Sequence, residues 1–283
     1  MSSPSDLLTD ARGKLFASYA APPRVVSLVP SITELLFALG LTAREVVGRT
    51  KFCVHPAEAV REVPDMGGTK TVHADRVREA APDLLIANID ENPRDLIEAM
   101  DRWKPQPWIY VTHPTNVDDA LMMIRDLGRL LGVADRAERL LTDIADAREA
   151  LADIPRESAL YLIWRRPYMT VSPATFVHAM LREAGYAHVI DDAWLDARHL
   201  EDGSRRYPEL TLGDIAALRP AHILLSSEPF PFGPEHIAEL RAGLHPFDEA
   251  YAGEVSIDIV DGEHYSWYGP RMREAFRSFA ART

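Results

Sequence analysis

Apolar positions in residues 116–151 recur every three or four places: Val117, Leu121, Ile124, Leu127 and Leu131, then Ala134, Ala137, Leu140, Leu141, Ile144 and Leu151 beyond Gly132. That period predicts one face of a helix, opened by Asn116, with Asp118 and Asp119 in its first turn, and stopped by Pro155. Gly132 predicts a kink or short break, since glycine tolerates backbone angles that end a helix. Unbroken, such a helix would run roughly 50 Å. The period alone fits either a crossover helix pair in one large domain or a spine between two halves, and the flanking segments favour the spine.

On the amino-terminal side, residues 24–28 (RVVSL) and 45–49 read as strands, with a helix over 31–39 whose Ser31 and Glu34 have capping-box spacing. A helix over 75–81, an apolar strand over 83–87, a helix over 93–103 and a strand over 108–111 follow. Beyond the spine, 159–164 (ALYLIW), 188–190, 221–226 and 255–260 read as strands, and 175–183, 212–218, 234–240 and 269–280 as helices. Strand–helix alternation on both sides predicts α/β architecture: two three-layer α/β lobes and a long connecting helix. The expected boundaries are an extension over 1–23, a first lobe over 24–115, a connector over 116–154 and a second lobe over 155–283. A weak internal repeat supports two lobes: DRVREAAPDLLIA from Asp75 and GDIAALRPAHILLS from Gly213 both read as a helix, a proline and an apolar strand.

Polar and aromatic residues gather where strands should end, which is where open α/β sheets bind ligands. Candidates in the first half are Thr33 at a helix start, Lys70 in the turn PDMGGTKT, and Glu91. That turn lacks the GK[ST] ending of a nucleotide phosphate loop. In the second half Trp164, Arg165 and Tyr168 could stack on and hold a flat anionic ligand, and Glu228, Trp267 and Tyr268 follow the last two strands. Residues 191–206 read as a long irregular rim or lid. Two lobes, each ending in such residues, place the expected ligand site between them. Cys53 and His55 are close enough to share a soft metal, but two ligands do not make a site. His55, His113, His199 and His264 are the candidate metal ligands, since imidazole suits iron, zinc and cobalt.

Composition narrows the function classes. At 47% hydrophobic and 26% charged residues the chain can bury a core, and its formal charge of −12 argues against a broad nucleic-acid surface. No apolar run approaches membrane-spanning length, and the opening residues lack a basic start followed by a sustained apolar core. These features give the expectation of a cytoplasmic protein that is not embedded in a membrane.

RVVSLVPSITELLFALG, GGTKTVHADRVREAAPDLLIA and RPAHILLSSEP resemble the substrate-binding proteins of ABC importers of the cobalamin and ferric-siderophore class, over residues 24–283. YLIWRRPYMTVS and VDGEHYSWYGPRM look like a leaderless cytoplasmic branch labelled helical-backbone metal receptor or cobalamin-binding protein. The resemblance implies a class III periplasmic-binding-protein-like fold with a rigid backbone helix and small hinge motion. It also implies a corrinoid or iron chelate as small-molecule ligand. In the secreted relatives an acid on each lobe docks onto permease arginines. Here Asp75 keeps the first, but Gly213 stands in the second position, with Asp214 turned roughly 100° around the helix, so permease docking does not carry over intact.

The function expected is therefore noncatalytic binding of a cobalamin-like corrinoid or iron chelate. A sensor or protein-interaction module on the same fold is the alternative. An enzyme using Glu91, Glu228 or His264 as acid or base is a further one, although the chain has no GxSxG, HExxH or dinucleotide glycine pattern.

Overall fold

The computed structural model describes residues 7–151 and 156–282, so Pro155, the expected stop of the spine, lies outside the described residues. The chain forms two compact units. One takes the chain through Pro114 together with Asp118–Asp146 and Trp267–Arg273; the other takes Thr115–Val117, Ala147–Ser266 and the residues from Glu274.

The first unit opens with a hairpin, β1 (Leu8–Thr9) and β2 (Leu15–Phe16). It continues through β3 (Val25–Ser27), α1 (Pro30–Ala38), β4 (Val46–Arg49), α2 (Ala57–Arg61), α3 (Ala74–Glu79), β5 (Leu84–Asn88), α4 (Arg94–Met100) and β6 (Trp108–Thr112). Its sheet is parallel with order β4-β3-β5-β6. Every residue of β5 is buried, as a parallel strand covered on both faces requires. One face packs Val26, Leu85 and Ile109 against Val77, Ile97 and Met100.

Two features of this unit depart from the pattern in the sequence. Helix α1 starts at Pro30, with Val29 as cap and no side-chain capping bond, so Ser31 lies inside the first turn instead of capping it. Proline at the first helical position fixes its own φ and lacks the N–H a cap would serve, which moves the start one residue earlier. The second departure is the hairpin. Ala11 N–H donates to the Val111 carbonyl at 2.8 Å, and the buried Asp10 carboxylate accepts from Arg12 N, Lys14 N and Val111 N at 2.8, 2.9 and 3.2 Å. Phe16 sets its ring edge-on to Trp108 and Tyr110. The extension thus covers the β6 edge, where unpaired backbone groups would otherwise invite another chain.

The spine is two helices, α5 (Val117–Leu130) and α6 (Ala134–Glu149). Gly132 has φ +70, its N–H donates to Arg129 O at 3.2 Å, and Val133 N–H donates to Gly128 O at 2.8 Å. This is a Schellman ending, and Tyr19 N–H takes the Leu130 carbonyl at 2.8 Å. A Cβ on Gly132 would lie 2.7 Å from the Tyr19 carbonyl oxygen, so the close approach of the amino-terminal segment requires glycine here.

The second unit contains β7 (Glu157–Leu162), β8 (Tyr168–Met169), α7 (Phe176–Glu183), β9 (Tyr186–His188), α8 (Asp192–Ala197), α9 (Asp202–Arg206) and β10 (Glu209–Leu210). It continues with α10 (Leu212–Leu218), β11 (His222–Ser226), α11 (Pro234–Leu244), α12 (Glu249–Glu254), β12 (Ser256–Val260) and α13 (Glu263–Ser266), followed by α14 (Arg271–Ala280). Its parallel sheet has order β12-β11-β7-β9, and β8 pairs with β10 beside it. The core joins Leu160, Leu162, Ile223 and Leu225 to Ile215, Leu240 and Leu244. Residues 191–206, expected to be irregular, form α8 and α9. Asp191 accepts from Trp194 N–H at 2.8 Å as the α8 cap, and Arg205 reaches Asp192 and Asp196 from α9 at 3.2 and 2.8 Å. Local capping and cross-helix ion pairs supply order where the apolar period is too short to signal it.

Candidate functional site

In each unit the loops after the strands carry most of the residues singled out from sequence. In the first unit Thr33 is fully buried, and its hydroxyl donates to Val29 O at 3.1 Å and touches Cys53 Sγ at 3.1 Å. Cys53 also lies 3.3 Å from the Thr50 hydroxyl. Burial pushes its thiol pKa up, against the smaller lowering effect of the two hydroxyls. Both side chains thus serve the join between α1 and the loop after β4. Lys70 Nζ donates to the Asp90 carbonyl at 2.5 Å, and Glu91 follows on the same loop with its N–H 3.3 Å from Asn88 Oδ1. Asn92 ties that loop to the one carrying Lys70, donating to the Thr69 carbonyl at 2.9 Å.

His55 meets the edge of Trp267 with ring centroids 5.5 Å apart. The Arg271 guanidinium lies 5.3 Å from the same indole and forms a two-pronged pair with Glu34 at 2.8 and 3.1 Å. Trp267 and Tyr268 are both buried. Contacts 200 residues apart in sequence assemble this cluster, and no local spacing announces it.

In the second unit Trp164 is 41% exposed and meets Phe230 edge-on at 5.6 Å. Arg165 is held two-pronged by Glu239, with one bond at 2.9 Å, and Arg166 stands 3.7 Å from the same carboxylate. That pairing holds the Glu239 carboxyl below its usual range. Burial, then the Glu239 charge, raises Tyr168. Tyr161 donates to Ser226 Oγ at 2.9 Å, Ser226 to the Glu228 carbonyl, and Ser266 Oγ–H to the Glu228 carboxylate. Gly262 makes room for this arrangement: a Cβ there would lie 2.5 Å from both Glu228 Cγ and Ser226 Oγ.

The four histidines are dispersed. His113 stands 3.8 Å from Asp90, and His264 stands 3.8 Å from Asp261. His199 is an exposed residue past α8 with φ +51. His55 lies in the loop after β4 and His113 directly after β6, the two edge strands of the first unit's sheet. Among the described residues no group of three or more His, Cys, Asp or Glu is placed to hold a metal.

Several apolar residues at these same loops were not singled out from sequence. Phe52, Val54 and Ile89 are 50%, 47% and 46% exposed, and Phe230 joins Trp164. A loop phenylalanine reads equally well as core, so only burial separates the two. A cavity of about 650 Å³ lies elsewhere on the first unit, lined by Arg24, Val47, Asp65, Met66, Arg76 and Glu79.

At the positions implied for permease docking, Asp75 is exposed beside Arg78, whereas the Asp214 carboxylate is engaged by the Thr211 cap and by Arg198. No helix among the described residues is long and apolar enough to cross a membrane.

Residues 25–242 match the family described as Periplasmic binding protein. The Vitamin B12-binding protein of Pectobacterium atrosepticum is 22% identical over 265 residues, which is 90% of this chain and 86% of that protein. The periplasmic heme-binding protein RhuT from Roseiflexus sp. RS-1, in apo form, superposes with a TM-score of 0.72 at 26% identity, over 92% of this chain and 97% of that one. The periplasmic vitamin B12 binding protein BtuF of Vibrio cholerae gives 0.73 at 18% identity, over 92% and 96%. Two α/β units with parallel sheets joined by long helices are the class III form of this fold. The relatives are named for binding, not for catalysis. They also overturn the expectation of a leaderless cytoplasmic branch, since the family and both solved relatives are periplasmic. The absence of a leader pattern says nothing of location where the natural start is not fixed, and that was the physical weakness of the cytoplasmic reading. The chain belongs to the periplasmic binding protein family.

Proposed function

We propose that this chain binds a metal-bearing macrocycle or chelate, of the corrinoid, heme or iron-chelate kind, and carries it unchanged. The observation that carries the reading is the apolar and aromatic set at the carboxyl ends of both sheets: the exposed Phe52, Val54 and Ile89 on one, and the exposed Trp164 against the partly buried Phe230 on the other. Folding leaves Phe52, Val54, Ile89 and Trp164 exposed although each unit has a core to bury them in, and flat apolar ligands repay such exposure. The names of the relatives, which bind vitamin B12 or heme, support the same class. Glu228, fixed by Ser266, and Lys70, fixed by the Asp90 carbonyl, add polar anchors with set directions.

Absorbance titration of the protein with cyanocobalamin and with iron protoporphyrin IX tests it. The expected result is saturable uptake of at least one and recovery of the same compound after denaturation. Failure to take up either compound, or a ferric siderophore, would sink the reading.

A further inference from the structure

The chain has four lysines, Lys14, Lys51, Lys70 and Lys104. Lys14 pairs with Asp101 at 2.8 Å. Lys51 and Lys70 differ: both are exposed, and among the described residues neither ammonium is in an ion pair. In a protein of formal charge −12, these two cations stand where the first unit turns its strand ends to solvent.

Their loops are tied together. Lys51 N–H donates to the Gly67 carbonyl at 2.8 Å, and a Cβ on Gly68 would lie 3.4 Å from the Phe52 ring and 3.7 Å from Lys51 Cε. Asn92 links the second of these loops to the one after β5 through the Thr69 carbonyl. Lys51 Nζ lies 5.1 Å from the Phe52 ring centroid. Lys70 spends one N–H on the Asp90 carbonyl and keeps two others, while the Asp90 carboxylate is on the His113 side at 3.8 Å. Two guanidinium groups near the strand ends are compensated instead, Arg271 by Glu34 and Arg165 by Glu239. The rim of the first unit therefore offers two uncompensated ammonium groups beside the exposed Phe52, Val54 and Ile89.

We infer that Lys51 and Lys70 hold anionic groups on the rim of the ligand, so that the chain selects a macrocycle or chelate bearing carboxylates over one whose rim carries neutral amides. The inference rests on the binding reading above. Ammonium–carboxylate bonds are charge-assisted and directional, yet at exposed positions they are screened by salt, so the selection weakens as ionic strength rises.

The experiment titrates the full chain with iron protoporphyrin IX, with its dimethyl ester and with cyanocobalamin, in low and high salt, for the wild type, K51Q, K70Q and the double variant. The diacid is expected to bind at least about tenfold tighter than the diester in low salt, a difference of roughly 1.4 kcal/mol. High salt shrinks that difference and the double variant erases it. Both side chains are exposed, and circular dichroism of each variant verifies its fold. Equal affinity for diacid and diester, or a preference untouched by the double substitution, overturns the inference. Binding of cyanocobalamin alone keeps the binding reading and overturns the selection by charge. No binding of any of the three overturns the selection by charge, and no binding of a ferric siderophore either overturns both.

Discussion

The two units solve the same problem at their sheet edges with different chemistry. In the first, the β6 edge is closed by a segment of chain: the hairpin brings Asp10 to the Val111 N–H and Ala11 to the Val111 carbonyl. In the second, β9 has only three residues, and a side chain completes its ladder, with His188 Nε2 accepting the Tyr161 N–H at 3.2 Å. The strand ends differ as well, with Lys51 and Lys70 beside the exposed Phe52, Val54 and Ile89 on one unit, and Trp164 against Phe230 with the Glu239-paired Arg165 on the other. A shared scaffold therefore fixes where strands end, while edge closure and ligand chemistry are set by residues outside it.

The largest test of this contrast is acid. His188 is buried, and that burial, with a smaller contribution from the neighbouring His178, pushes its pKa down to about 3. A depressed histidine costs nothing above the unfolded pKa near 6.5, because both states are then neutral. Below that the unfolded chain takes up a proton that the native chain refuses, so stability falls from about pH 6.5 down to pH 3. The slope is roughly 1.4 kcal/mol per pH unit and the total on the order of 5 kcal/mol. Urea midpoints at pH 7, 5 and 4 measure the slope. His188→Gln keeps an acceptor for Tyr161 and should flatten it; an unchanged slope in H188Q would show that His188 is not its source.

The corresponding break in the first unit is Asp10→Ala. It strands the N–H groups of Arg12, Lys14 and Val111 and leaves Arg12 with one carboxylate fewer, a loss of about 3 kcal/mol. Denaturant unfolding followed by tryptophan fluorescence reads this loss. A loss below about 1 kcal/mol would mean the hairpin is not closing the edge.

Gly132→Ala comes next. The new Cβ meets the Tyr19 carbonyl and a left-handed φ must be held by alanine, together about 2 kcal/mol. Thermal unfolding is the measurement, and a neutral substitution would mean the amino-terminal segment does not seat on the α5–α6 break. The smallest effect is at the second unit's strand ends: Ser266→Ala removes one hydrogen bond to Glu228, worth about 1 kcal/mol of stability. Comparing S266A and wild type in ligand titrations shows whether a fixed Glu228 matters to binding.

Much of the scaffold was legible in the sequence because its signals are local. Buried parallel strands show as apolar runs, LLIA at 84–87 and ILL at 223–225, and Gly132 marked the helix break by its conformational freedom. The hairpin was not legible, since β1 and β2 have two residues each and depend on Val111, 100 positions away. Ser31 had the right type and spacing for a cap, but Pro30 took the helix start. At the candidate site, residue type pointed to strand ends without telling which side chains turn outward. Thr33 turns in, whereas Phe52, Val54 and Ile89 face solvent, and that choice is made by packing that no local spacing encodes.

Hydrogen–deuterium exchange with and without bound iron protoporphyrin IX or cyanocobalamin tests the central claim most directly. Ligand should slow exchange at 50–55, 67–71, 89–92, 163–168 and 227–232, the loops at the strand ends of both units. Protection confined to the cavity around Arg24 and Arg76, with those loops unchanged, would contradict it.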